Sequence, residues 1–123
     1  MPVVTPNQLC VPQGSSKTFC LSVKDEDGAP VDLTSAKVWF CVKEHPACSD
    51  SDIYKSSLNG PAEVLITDPP NGVAQIYLTP SDTLDLAPKR YTYEVWVELI
   101  SGKRYQVVPP SVFEITRTLC PVP

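Results

Sequence analysis

Apolar residues recur at every second position in several short stretches of the chain, the period of a strand with one face buried. Phe19, Leu21 and Val23 alternate with Cys20, Ser22 and Lys24, and Val38, Phe40 and Val42 alternate with Lys37, Trp39, Cys41 and Lys43. In the longest run Tyr91, Tyr93, Val95, Val97 and Leu99 share one face, while Thr92, Glu94, Trp96, Glu98 and Ile100 share the other. Shorter candidate strands lie at 53–56, 63–67, 73–79, 103–108 and 112–118. Turn residues punctuate them: Asp25-Glu26-Asp27-Gly28, Asn59-Gly60-Pro61, Asp68-Pro69-Pro70 followed by Asn71-Gly72, and Ser101-Gly102. Asn71-Gly72 is a strong hairpin signal, and the prolines before it predict a loop longer than a two-residue turn. Thr79-Pro80-Ser81-Asp82 predicts one capped helical turn ending before Pro88, and Pro109-Pro110 predicts a break before the closing strand.

About seven or eight short strands at turn spacings of roughly 8 to 12 residues predict an all-β, antiparallel β-sandwich. Parity within each strand assigns the core to Phe19, Leu21, Val23, Val38, Phe40, Val42, Ile76, Leu78, Tyr93, Val95, Val97 and Phe113. It also turns Trp39, which shares its face with Lys37 and Lys43, and Trp96, flanked on its face by Glu94 and Glu98, toward the outer faces of their strands. Two alternatives stand beside that reading: a loop or the N-terminal arm covers one of them, or parity is inverted and Trp39 is the buried tryptophan of the sandwich.

Composition sharpens the class. The chain has 123 residues and 42% hydrophobic content, which fits one globular domain. It carries 14 prolines where ordinary usage gives about 6, so long helices are excluded. Residues 1–15, with Pro2, Pro6, Pro12 and Gly14, read as an extended arm, 16–119 as the sandwich and 120–123 as a short tail. A formal charge of −4 disfavours a phosphate-binding surface. The basic pairs Lys89-Arg90 and Lys103-Arg104 fall at opposite ends of a strand pair, roughly 30 Å apart, and make no single nucleic-acid footprint. No apolar run reaches the roughly 18 to 20 residues of a membrane helix, and the first residues lack a secretory leader pattern, so no membrane partner and cytosolic synthesis are expected.

Candidate chemistry is sparse. The single histidine, His45, lies in a loop with no nucleophile motif around it. Glu94 and Glu98 share a strand face but stand roughly 13 Å apart, too far for a catalytic carboxylate pair. Cys41, His45 and Cys48 are the zinc candidates, with Cys20 a conceivable fourth ligand, although C-x3-H-x2-C matches no common zinc spacing. The acidic turn at 25–28 lacks the ligand series of a calcium loop. No cofactor and no enzymatic activity are expected. The five cysteines, Cys10, Cys20, Cys41, Cys48 and Cys120, are odd in number and are expected as reduced thiols.

One resemblance spans about residues 18–118. The run from Gly28-Ala29-Pro30-Val31-Asp32-Leu33-Thr34 to Val38-Trp39-Phe40, then Asn71-Gly72-Val73 leading to Leu78-Thr79-Pro80-Ser81-Asp82-Thr83, then Tyr91-Thr92-Tyr93-Glu94-Val95, resembles the immunoglobulin-like modules of tailed-bacteriophage structural proteins. Among these are the N-terminal domains of siphophage baseplate upper proteins. The resemblance implies a non-enzymatic virion protein that docks on tail, baseplate, neck or capsid subunits, with other virion proteins and further copies of itself on the particle as partners. It differs from antibody-type domains, because no cysteine follows Tyr91 by two residues. The interface residues expected on this reading are Trp39, Trp96, Val3, Val4 and Leu9. The alternative is a free-standing module that binds cell-surface carbohydrate through Trp39, Trp96 or the 44–52 loop.

Overall fold

A computed structural model describes residues 9–44, 52–60 and 62–117. Within them the chain is mostly β, with eight strands: β1 (Leu9–Pro12), β2 (Lys17–Ser22), β3 (Lys37–Lys43), β4 (Ile53–Ser56), β5 (Val64–Asp68), β6 (Val73–Leu78), β7 (Arg90–Glu98) and β8 (Arg104–Thr116). One short helix, α1 (Pro80–Leu84), follows β6, its first turn closed by the Asp82 carboxylate, which accepts the Thr79 N–H at 2.7 Å. The strands form a five-stranded sheet in the order β1-β8-β7-β3-β4 and a three-stranded antiparallel sheet in the order β2-β6-β5.

The two sheets share one core. Phe19 of β2 meets Phe40 of β3 and Phe113 of β8 at centroid distances of 6.1 and 6.4 Å, and Tyr93 of β7 completes the ring cluster. Parity reads correctly on the long strands: Val38, Phe40, Val42, Tyr93, Val95 and Val97 are buried, as are Leu21, Val23, Ile76, Leu78 and Phe113. Phe19 differs from expectation. It is only partly buried and packs against the rim of the core. Val11, Leu33, Ile53, Val64, Ala74, Tyr91, Val107 and Ile115 join the core as well.

Three expectations are corrected. The strands are not antiparallel throughout, because β1 runs parallel to the end of β8, Leu9 opposite Phe113 and Pro12 opposite Thr116. The start of the sheet therefore lies inside the segment read as an arm: Val11 is fully buried, and residues 9–15 belong to the folded body. Past β1 the Gln13 side-chain amide donates to the carbonyls of Leu84 and Leu86, and Gly14 N–H donates to the buried Thr83 hydroxyl. These bonds satisfy carbonyls at the end of α1 that lack intrahelical partners.

The third correction concerns Pro109-Pro110, which do not interrupt the closing strand. β8 runs 13 residues straight through them. Tyr93 faces Ser111, Val95 faces Val108 and Trp96 faces Gln106, so β8 gains a residue on β7 at each of two bulges. The prolines stand opposite Glu94 at the first bulge, where a strand tolerates residues without N–H donors. The second bulge explains why Val107 and Val108, adjacent in sequence, are both buried.

The Pro69–Asn71 stretch forms a 3₁₀ turn, capped by Gly72 in the left-handed region at φ 72. A Cβ at Gly72 would stand 2.5 Å from the Val23 carbonyl oxygen and 2.7 Å from that of Val31, so this position requires glycine for space as well as for backbone angle. Gly72 in turn accepts the Val23 N–H at 2.8 Å, stitching the loop after β2 onto the turn before β6.

Candidate functional site

Chemistry-bearing side chains concentrate on the outer face of the five-stranded sheet. Trp39 of β3 and Trp96 of β7 are direct partners across the antiparallel ladder, close enough for their indoles to share a surface. Trp96 retains 36% of its surface in solvent and Trp39 is half-buried. The Arg104 guanidinium stands 5.9 Å from the Trp39 ring centroid, in reach of a cation–π contact. On the same face, at the outer edge, Tyr54 of β4 pairs with Cys41 and is 48% exposed.

Charges frame these aromatics, and both carboxylates among them are hydrogen-bonded. Glu98 accepts from the Arg104 Nε at 2.7 Å and stands 3.3 Å from the Lys37 amine. The hydrogen bond from Arg104, followed by that from Lys37, holds the Glu98 carboxyl below its ordinary range. One row further along, Glu94 accepts from the Gln106 amide at 2.8 Å. The two carboxylates thus share a face but serve different partners. The arginines of the two basic pairs lie beside Glu114 and Glu98 respectively, at opposite ends of the β7–β8 hairpin.

The zinc candidates fall apart geometrically as far as they are described. Cys41 lies on the outer face of the five-stranded sheet, whereas Cys20 is exposed on β2 opposite Gln75, on the outer face of the other sheet. The core lies between them, so Cys20 cannot complete a site with Cys41. His45 and Cys48 lie outside the described residues, as do Val3 and Val4. Among the described residues no group of three histidine, cysteine or acidic side chains is placed to hold a metal ion, and no helix is long and apolar enough to cross a membrane. Leu9, expected in a docking arm, is instead half-buried on β1 against the core.

No family model matches this chain, and no curated protein matches it in sequence.

Two further features border the candidate face. An open groove of about 420 Å³ runs past the 3₁₀ turn at Ser57–Asn59, lined by Ser35, Lys37, Leu58 and Leu65, with Leu58 63% exposed. Between the sheets, the buried Lys55 of β4 pairs with Asp82 of α1 at 2.8 Å. Parity places Trp39 and Trp96 outward, but their pairing in one row depends on strand register, which no local pattern encodes. Tyr54 and Arg104 escape a sequence reading for the same reason. Chemically the face offers stacking surfaces, a guanidinium and hydrogen-bonded carboxylates.

Proposed function

We propose that this chain is a non-enzymatic bacteriophage virion protein, an immunoglobulin-like module that docks through the outer face of its five-stranded sheet onto tail, baseplate, neck or capsid subunits. The observation that carries the docking role is the Trp39–Trp96 pair with Arg104 and Tyr54 beside it. Tryptophan, tyrosine and arginine are the residue types that dominate binding energy at protein interfaces.

Three features support the immunoglobulin-like reading. The order β8-β7-β3 against β2-β6-β5 corresponds to G-F-C against B-E-D, with β4 added beyond β3 as in variable-type domains. Tyr91, near the start of β7, donates its hydroxyl to the Ala87 carbonyl at 2.9 Å, the geometry of a tyrosine corner. The aromatic cluster of Phe19, Phe40, Tyr93 and Phe113 occupies the centre that antibody domains fill with a disulfide and a tryptophan. The virion assignment itself rests on the sequence resemblance.

The test is incorporation into particles. A Trp96→Ala chain that folds normally should be incorporated less than the parent, and a cryo-EM map of the particle should seat this face against a neighbouring subunit. Normal incorporation, or glycan binding by the isolated domain that Trp96→Ala abolishes, would overturn the reading in favour of a carbohydrate-binding module.

A further inference from the structure

The chain contains two Asn-Gly dipeptides, Asn59-Gly60 and Asn71-Gly72. Asn-Gly is the sequence most open to cyclisation, because glycine lacks the Cβ that would shield its amide nitrogen. Each asparagine ends a 3₁₀ turn, and each side-chain amide donates to a nearby carboxylate: Asn59 to Glu63 at 3.2 Å, Asn71 to Asp68 at 2.8 Å. The backbone around the two glycines differs sharply.

Gly72 is clamped. Its N–H donates to Pro69 at 3.1 Å, its carbonyl accepts from Val23 at 2.8 Å, and the carbonyl oxygens of Val23 and Val31 crowd the place a Cβ would take. Gly60 is open. Nothing lies within 4 Å of where its Cβ would stand, and its backbone is at φ 120 and ψ 168.

We infer that Asn59 is a site of spontaneous deamidation in the folded protein while Asn71 is protected. The Gly60 amide nitrogen, after losing its proton to base, attacks the Asn59 Cγ. The bond from Cγ to Nδ2 breaks, and ammonia leaves with a proton from solvent. Water then opens the resulting cyclic imide at either carbonyl, leaving aspartate or isoaspartate at position 59. The net change is addition of water and loss of ammonia, with no change of oxidation state.

The product acts on its surroundings. Glu63 Oε1 accepts from both the Asn59 amide and the Ser56 N–H, and so ties the 3₁₀ turn to the end of β4. A carboxylate at position 59 removes one donor and sets two negative charges against each other. It also makes the chain one unit more negative than its formal −4. The turn it loosens carries Leu58 at the rim of the open groove, so the modification alters that rim with time.

The experiment incubates the full-length chain in mildly alkaline buffer and maps it by mass spectrometry after cleavage at glutamate, which places Asn59 on residues 45–63 and Asn71 on residues 64–94. The expected result is a mass gain on the first fragment at a rate at least about tenfold above the second, since the Gly72 hydrogen bonds must open before Asn71 can cyclise. In denaturant the two rates should converge. Equal rates in the folded chain, a faster rate at Asn71, or an inert Asn59 that reacts only in denaturant would each overturn the proposal. An Asn59→Asp chain should melt below the parent; an unchanged or raised midpoint would overturn the loosening of the turn.

Discussion

The two sheets present opposite outer faces. On the five-stranded sheet Trp39, Trp96, Tyr54 and Arg104 stand among the charges of Lys37, Glu94 and Glu98. On the three-stranded sheet the outward residues include Thr18, Cys20 and Ser22 of β2, Val73, Gln75 and Tyr77 of β6 and the exposed Leu65 of β5, all uncharged, and the Tyr77 hydroxyl is already bonded to Gln75 at 2.5 Å. Both faces rest on the same core and share the same pleat, so the fold does not dictate the difference. A small two-sheet domain needs only solvent-tolerant cover on its outside, which the second face supplies with uncharged side chains. The first face carries costlier groups, with long side chains held in fixed geometry, and that investment makes sense where something is recognised.

The most severe way to disturb the comparison is to remove the support common to both faces. Phe40→Ala should cost about 3 to 5 kcal/mol and abolish both surfaces together, read by chemical denaturation. Deleting residues 1–15 should be comparably damaging, because it removes the buried Val11 and the Gln13 clasp on α1. Deleting residues 1–8 alone should leave a cooperative transition, and that shorter truncation is the appropriate probe of an arm.

Gly72→Ala comes next. It should destabilise by about 2 to 3 kcal/mol, since the added methyl meets backbone oxygens that cannot rotate away. Thermal melting checks it, with Gly102→Ala, where nothing lies within 4 Å of the new Cβ, as the milder comparison.

A substitution that separates the faces is Trp96→Ala set against Thr18→Ala. Each should change stability by about 1 kcal/mol or less. Only the first should lower incorporation into particles, and equal effects would erase the distinction between the faces.

The smallest effect is a pH dependence. Arg104 and Lys37 hold the Glu98 carboxyl below its unfolded value. Its contribution to stability is therefore complete above the ordinary glutamate range and is lost as pH falls through the lower folded value. Melting temperatures of the parent and a Glu98→Gln chain should differ near neutrality and converge in acid.

How far the sequence reveals this molecule depends on where each instruction lies. The burial of Val38, Phe40 and Val42 is legible because alternation is local, and so is the cap at Thr79. β1 is not legible: its four residues end in a proline, and its partner, the end of β8, lies about a hundred residues away. The bulges hide themselves too, since Val107 and Val108 break the very alternation by which a strand is read. The candidate face falls between these cases. The outward direction of each tryptophan is a local property, whereas their meeting in one row, with Arg104 over Trp39, is fixed only once β3, β7 and β8 are in register.

Pro109 and Pro110 have a consequence for how copies of this chain can meet. Among the described residues β1 covers the edge of β8 only from Phe113 to Thr116. Upstream of that cover, an unguarded strand would be a template on which another chain could lengthen the sheet, the route by which crowded β proteins grow fibres. Two adjacent residues with no N–H to offer, set in a strand kinked by two bulges, leave such a template with gaps in its ladder. Such an edge disfavours backbone-to-backbone growth of the sheet and leaves side-chain contacts, which can be finite in number, as the easier way for another chain to meet it.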